Sequence, residues 1–327
     1  MVILYICLGI LFILLILCLI TYLFIRNKHN KLFNHKFIPD PLIKYYDKDE
    51  EELSFLEYDI NNNDEIIKGG FYSYKEYDNN KLIIFCHGMD STIGAYMQDI
   101  SYFAHHGYLV YGFNYFGTDN SSSTLKGFGN SLYCLNLVIN KLKEDDNYKN
   151  KELIIIGHSW GGYAATNIIS IHKDIKCVVA LAPMVCVDNM LKQFKVPKLF
   201  RKLLISYDNK KCNGYSKYNG LNSINNYSNK CMILQSKNDP VISFDNSLNY
   251  IKNNTINKNV EYLILDNKYH NPNYTDEGLK IMVEFVTECA KYKNDKVKLE
   301  EIKKNTDYHT MGSLDEDIMN KILDFIK

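Results

Sequence analysis

The stretch LIIIGHSWGGYAA, residues 153–165, decides the fold of this chain. Four apolar residues lead into Gly157-His158-Ser159-Trp160-Gly161, and small residues follow. The apolar run reads as a buried strand, and the segment from Gly161 reads as a helix. A serine flanked by glycines two residues before and two after fits a tight strand-to-helix turn. Such a turn holds the serine in a strained conformation and lifts its hydroxyl above the sheet. The flanking positions close on each other there, and glycine at both removes the clash of two Cβ atoms. Gly162, Ala164 and Ala165 allow the helix to pack closely.

On either side of this turn, short apolar runs alternate with amphipathic segments. Residues 82–86 (LIIFC), 108–113 (YLVYGF), 177–181, 231–234 and 260–265 read as strands. Residues 95–104 and 277–290 have helical spacing, and Leu132, Leu135, Val138, Ile139 and Leu142 form one helical face. Continuous apolar strands between helices imply a mostly parallel central sheet covered on both faces. Two earlier strands are expected near residues 55–60 and 66–74, with Gly69-Gly70 marking a bend or bulge. Between residues 184 and 229 the alternation stops. This interval holds the basic, apolar stretch MLKQFKVPKLFRKLLI, residues 190–205, and reads as a small lid inserted above the sheet.

In this setting the region from about 81 to 290 resembles the serine α/β-hydrolase superfamily of esterases, lipases, thioesterases and related peptidases. The resemblance implies a nucleophile, then an acid, then a histidine along the chain. After CMILQ comes Ser236-Lys237-Asn238-Asp239-Pro240-Val241, so Asp239 stands at a strand end in a loop fixed by proline. After VEYLIL comes His270, about 30 residues on, followed by Asn271-Pro272. Ser159, Asp239 and His270 are therefore the expected triad: nucleophile, orienting carboxylate and general base. His309 is the rival base, in a polar segment with no preceding strand, while His105, His106 and His172 read as ordinary helix residues. The oxyanion donors implied are the backbone N–H of Trp160 and that of Met89, in the loop His87-Gly88-Met89-Asp90. His87 is expected to hold that loop by hydrogen bonding, and Gly88 to let backbone approach substrate. Where many relatives carry an Asp-x-Arg-Gly-like sequence, this chain has Asn114-Tyr115-Phe116-Gly117, so any role of that arginine is missing.

The N-terminus is a different material. Residues 2–25 read VILYICLGILFILLILCLITYLFI, without a charge. As a helix they rise about 36 Å, enough for the roughly 30 Å hydrocarbon core of a bilayer. A cleaved signal peptide would have a basic start and a small-residue cleavage site, and neither is seen. Arg26, Lys28, Lys31 and Lys36 follow the run and no cation precedes it, so the positive-inside rule places the rest of the chain in the cytoplasm. The domain plan is then a transmembrane anchor at 1–26, a juxtamembrane connector at 27–52, the α/β-hydrolase domain at 53–294 and a helical extension at 295–327. Its final segment is amphipathic through Ile318, Ile322, Leu323 and Ile326.

Composition narrows the chemistry. Among 327 residues, Lys+Arg and Asp+Glu are 38 each, so net charge gives no reason to expect nucleic acid. Nine scattered cysteines form no C-x-x-C pair and fit a reducing compartment. Gly127-Phe128-Gly129 lacks the lysine and third glycine of a phosphate loop. No metal and no cofactor is expected. The expected reaction is cleavage of an acyl ester, with lipid-derived substrates favoured by the anchor and by the basic amphipathic lid. A serine peptidase or acyl-thioesterase uses the same oxyanion chemistry, and a silent membrane-tethered binding protein is the alternative from another class.

Overall fold

The computed structural model describes residues 1–327, with the side chain of Ile3 outside the description. Ten strands form: β1 Ser54–Glu57, β2 Ile60–Asn62, β3 Glu65–Ile67, β4 Gly69–Ser73, β5 Lys81–Cys86, β6 Leu109–Phe113, β7 Glu152–His158, β8 Cys177–Leu181, β9 Lys230–Ser236 and β10 Val260–Leu265. Eight of them make one sheet in the order β1-β4-β6-β5-β7-β8-β9-β10. From β6 to β10 the neighbours run parallel, and β1 and β4 add antiparallel pairs at one edge. The run expected as one strand at 55–60 divides into β1 and the start of β2. The run at 66–74 divides between β3 and β4, and β2 with β3 forms a separate hairpin. A Cβ on Gly70 would strike the Phe55 ring, so glycine there lets β4 lie against β1.

Alternation along each strand builds two cores. Leu82, Ile84 and Cys86 of β5 join one apolar cluster, together with helices Asn130–Glu144 and Trp160–Ile168. Ile83 and Phe85 join the other, with helix Met97–His105. Period-two side chains on a buried strand require partners on both faces, and the helices supply them.

The second face is not closed by the helix that directly follows the last strand. Helix Asp276–Lys291 follows β10, yet only Gly278 and Leu279 of it are buried. The face is closed by helix Glu316–Ile326, which buries Ile318, Met319, Ile322, Leu323, Phe325 and Ile326. Each such side chain is worth roughly 2 kcal/mol removed from water. The physical reason is stripe width: six apolar residues within eleven give a broad face, whereas Val283 and Val286 of the earlier helix stay exposed. The extension at 295–327 thus ends as a core element.

The N-terminal helix runs Val2–Phe33 and does not stop at residue 26. Ile25, His29 and Phe33, spaced by one turn each, are buried against the body. Length and composition of Leu4–Phe33 suit a membrane span or a signal sequence alike. The interval 184–229 contains helices Val187–Gln193, Lys198–Lys211 and Gly220–Asn225 and no strand. The first two are separated by Lys195 in the left-handed region and by Pro197.

Candidate active site

Ser159 caps the helix that β7 feeds, at φ +57° and ψ −111°. A non-glycine residue at positive φ is strained by about 1–3 kcal/mol, so the surroundings must hold it there. They do so through Ser159 N–H donating to Leu181 O at 2.8 Å and Met184 N–H donating to Ser159 O at 3.0 Å. The tightness of the turn is visible in its glycines. A Cβ on Gly157 would overlap the backbone of Gly161, and one on Gly161 would overlap Cys86 O. A Cβ on Gly162 would stand 2.7 Å from Pro183 Cβ.

Asp239 and His270 lie in the loops after β9 and β10, neighbouring parallel strands that deliver both loops to the same end of the sheet. His270 Nδ1 is 2.9 and 3.0 Å from the two carboxylate oxygens of Asp239. Asp239 also accepts from Val241 N at 2.8 Å, Ile242 N at 3.0 Å and Gln235 Nε2 at 3.1 Å. An ionised carboxylate is acceptor only, so Nδ1 of His270 carries the proton and Nε2 is left with its lone pair. Among the described residues no hydrogen bond joins Ser159 to His270. Both line one cavity of about 340 Å³, with Met89, Phe128, Met184 and Ile242.

Gly88, Met89 and Trp160 line the same cavity. Among the described residues the backbone N–H groups of Met89 and Trp160 have no acceptor, in keeping with donors held ready for an oxyanion. His87 is fully buried beneath them. Its Nδ1–H donates to Gly88 O at 2.7 Å, its ring packs on Tyr115, and burial pushes it down to about 4, so it is neutral. It stands in the loop and not in the cavity. His105, His106, His172 and His309 do not line the cavity either; His309 stacks on Tyr46. Among the described residues no group of His, Cys, Asp and Glu is placed to hold a metal ion.

Residues 77–251, more than half of the chain, match the protein family described as serine aminopeptidase, S33. The chain belongs to this family of α/β serine hydrolases. The matched span takes in Ser159 and Asp239 and ends before His270. In structure the hydrolase is similar to an esterase from Pyrococcus furiosus, at 20% identity and a TM-score of 0.56, over 80% of this chain and 98% of that one. An α/β hydrolase from Penicillium sp. is similar at 15% identity and 0.55, over 84% of this chain and 98% of that one. An acylaminoacyl peptidase is similar at 17% identity and 0.52, over 67% of this chain and 38% of that one. At these identities the likeness is one of fold. No curated protein matches the sequence.

Two residues that sequence reasoning passed over complete the site of the hydrolase. His158, beside the nucleophile, is buried, and its Nε2 lies 2.8 Å from the carbonyl oxygen of His270. A carbonyl only accepts, so Nε2 carries the hydrogen. The other nitrogen, Nδ1, then accepts from Tyr96 Oη at 2.7 Å, and that hydroxyl in turn accepts from Gly88 N at 3.0 Å. Burial, reinforced by His270, pushes His158 down to about 3, so it is a neutral, directional link. One relay thus ties the oxyanion loop, the nucleophile turn and the His270 loop. Its contacts span up to 112 residues of sequence, and no local pattern announces them.

Proposed function

We propose that the hydrolase cleaves acyl esters through a covalent intermediate on Ser159. His270 Nε2 takes the Ser159 proton as Oγ attacks the carbonyl carbon, and Asp239 stabilises the imidazolium. The N–H groups of Met89 and Trp160 receive the oxyanion. The proton passes from His270 to the departing alcohol, and the same steps with water release the acid and restore the serine. The observation that carries this reading is the His270–Asp239 pair and Ser159 meeting at one cavity whose remaining wall is largely apolar. Such a wall suits an acyl chain.

The helix Val2–Phe33 supports a single-pass membrane location, and the cations that follow its apolar run favour a hydrolase body on the cytoplasmic side. The lid exposes Phe194, Leu199, Phe200 and Leu203, which favours a lipid-derived ester at that surface. A peptidase reading is the second one. It is favoured by the description of the family and by Asp90 in the cavity lining, an acidic residue suited to a peptide ammonium. A fluorophosphonate probe, followed by a panel of acyl esters, acyl thioesters and aminoacyl amides, tests both. Labelling that is lost in Ser159→Ala, with ester turnover well above amide turnover, is the expected result. Preference for amides moves the assignment to peptidase, and a well-folded but unlabelled chain moves it to a silent binding protein.

A further inference from the structure

A second cavity, larger than the one at Ser159, lies away from it. It is a groove of about 860 Å³ between the N-terminal helix and the lid helix Lys198–Lys211. Its length is lined by Leu14, Leu17, Leu199 and Leu203, and Tyr22 and Tyr207 meet edge to face across it at 5.9 Å. Its other end is polar and carries Arg26, Lys210 and Lys211. All three are exposed. Among the described residues none of the three forms an ion pair. The N-terminal helix has no carboxylate, and the single one of the lid helix, Asp208, is buried and held by His29 Nε2 and Phe128 N.

We propose that this groove binds an anionic phospholipid, with an acyl chain along the leucines and the headgroup phosphate among Arg26, Lys210 and Lys211. The proposal rests on the reading of Val2–Phe33 as a membrane helix. Three features select this occupant. From Leu14 to Asn30 the helix rises about 24 Å, close to the roughly 20 Å of one leaflet with its headgroups. Polarity changes once along the groove, from leucine to cation, as it does along one lipid molecule. Three cations exceed the charge of one phosphate, so a zwitterionic headgroup would bring its own cation against them and an anionic one would not.

The test uses the full chain in nanodiscs that hold phosphatidylglycerol or phosphatidylcholine bearing a diazirine in the acyl chain. Crosslinks are expected on the peptides that contain Leu14–Arg26 and Leu199–Lys210, with phosphatidylglycerol several-fold ahead. The triple substitution Arg26→Gln, Lys210→Gln, Lys211→Gln should lower phosphatidylglycerol labelling about tenfold or more, at about fivefold per cation, and leave phosphatidylcholine unchanged. Leu203→Trp, which fills the apolar part, should lower labelling by both lipids. Fluorophosphonate labelling of Ser159 reports that each variant is folded. Equal labelling by the two lipids, or labelling indifferent to all four substitutions, overturns the proposal. Carbonate extraction of native membranes separates it from its premise. A chain washed off by carbonate sinks the membrane-span reading, and selective crosslinking that survives in detergent keeps the lipid site without it.

Discussion

Two close His–Asp pairs, one half-buried and one buried, stand in different surroundings. His270–Asp239 sits at the ends of β10 and β9, and His29–Asp208 sits where the N-terminal helix meets the lid. In each, a ring nitrogen meets a carboxylate that also accepts from the backbone, two N–H groups at Asp239 and one at Asp208. The difference lies beyond the imidazole. His270 borders a cavity shared with a strained serine, whereas His29 packs between Phe33 and Tyr207 and borders a separate cavity of about 300 Å³ that no serine lines. A His–Asp pair is therefore no mark of catalysis. What stands on its far side decides.

Exchanging one carboxylate at a time should separate the two. Asp239→Asn keeps the shape but favours the wrong imidazole tautomer, and about a 10³- to 10⁴-fold loss of kcat is expected with Tm nearly unchanged. Unchanged turnover would remove Asp239 from the reaction. Asp208→Ala should do the reverse. It leaves the buried His29 Nε2 and Phe128 N–H without their acceptor, which costs about 1–3 kcal/mol for each group. Chemical denaturation should show that loss, while molecules still folded label at Ser159. A Tyr96→Phe variant sharpens the contrast from within the first site. It unpairs His158 Nδ1 and Gly88 N, and about a tenfold fall in kcat with little change in KM is expected. A fall in stability alone would make Tyr96 structural.

The smallest effect concerns a third buried carboxylate, Asp99, which has no histidine. Its donor is Asn273 Nδ2 at 2.7 Å, and burial pushes it up to about 7. The folded chain therefore keeps a proton that the unfolded chain has lost above about 4, so this group makes stability fall as pH rises from about 4 to about 7. Asp99→Asn should raise Tm at pH 8 by a few degrees, the shift that about 1 kcal/mol gives in a domain of this size, and should do little at pH 4. Equal Tm changes at both values would show that Asp99 is ionised throughout.

The first His–Asp pair was legible in the sequence because parallel α/β topology converts strand order into spatial order. An aspartate after β9 and a histidine after β10 must emerge at the same edge as the serine after β7. The glycines of the turn were legible for the steric reason that the structure repeats at Gly157 and Gly161. The second pair was not. It joins helix surfaces 179 residues apart, and no local period records such a meeting. Helix Glu316–Ile326 was read as amphipathic, but that it outranks Asp276–Lys291 on the sheet depends on a face that only the assembled sheet creates. Gly127-Phe128-Gly129 was read only as a failed phosphate loop. Its glycines admit the lid, since a Cβ on Gly129 would lie 2.6 Å from Ser216 Oγ. Phe128 O accepts from the Trp160 indole at 2.6 Å, which ties that loop to the nucleophile turn.

The N-terminal helix enters the body without a joint. It is continuous from Val2 to Phe33, and Ile25, His29 and Phe33 are clamped on its last turns. An anchor on a loose tether would let the enzyme tumble and sample the bilayer at every angle. If this helix crosses the membrane, it acts as a rigid mast. The mouth of the cavity then keeps one height and one heading above the lipid, and rotation of the whole molecule about the membrane normal is the main freedom left to it.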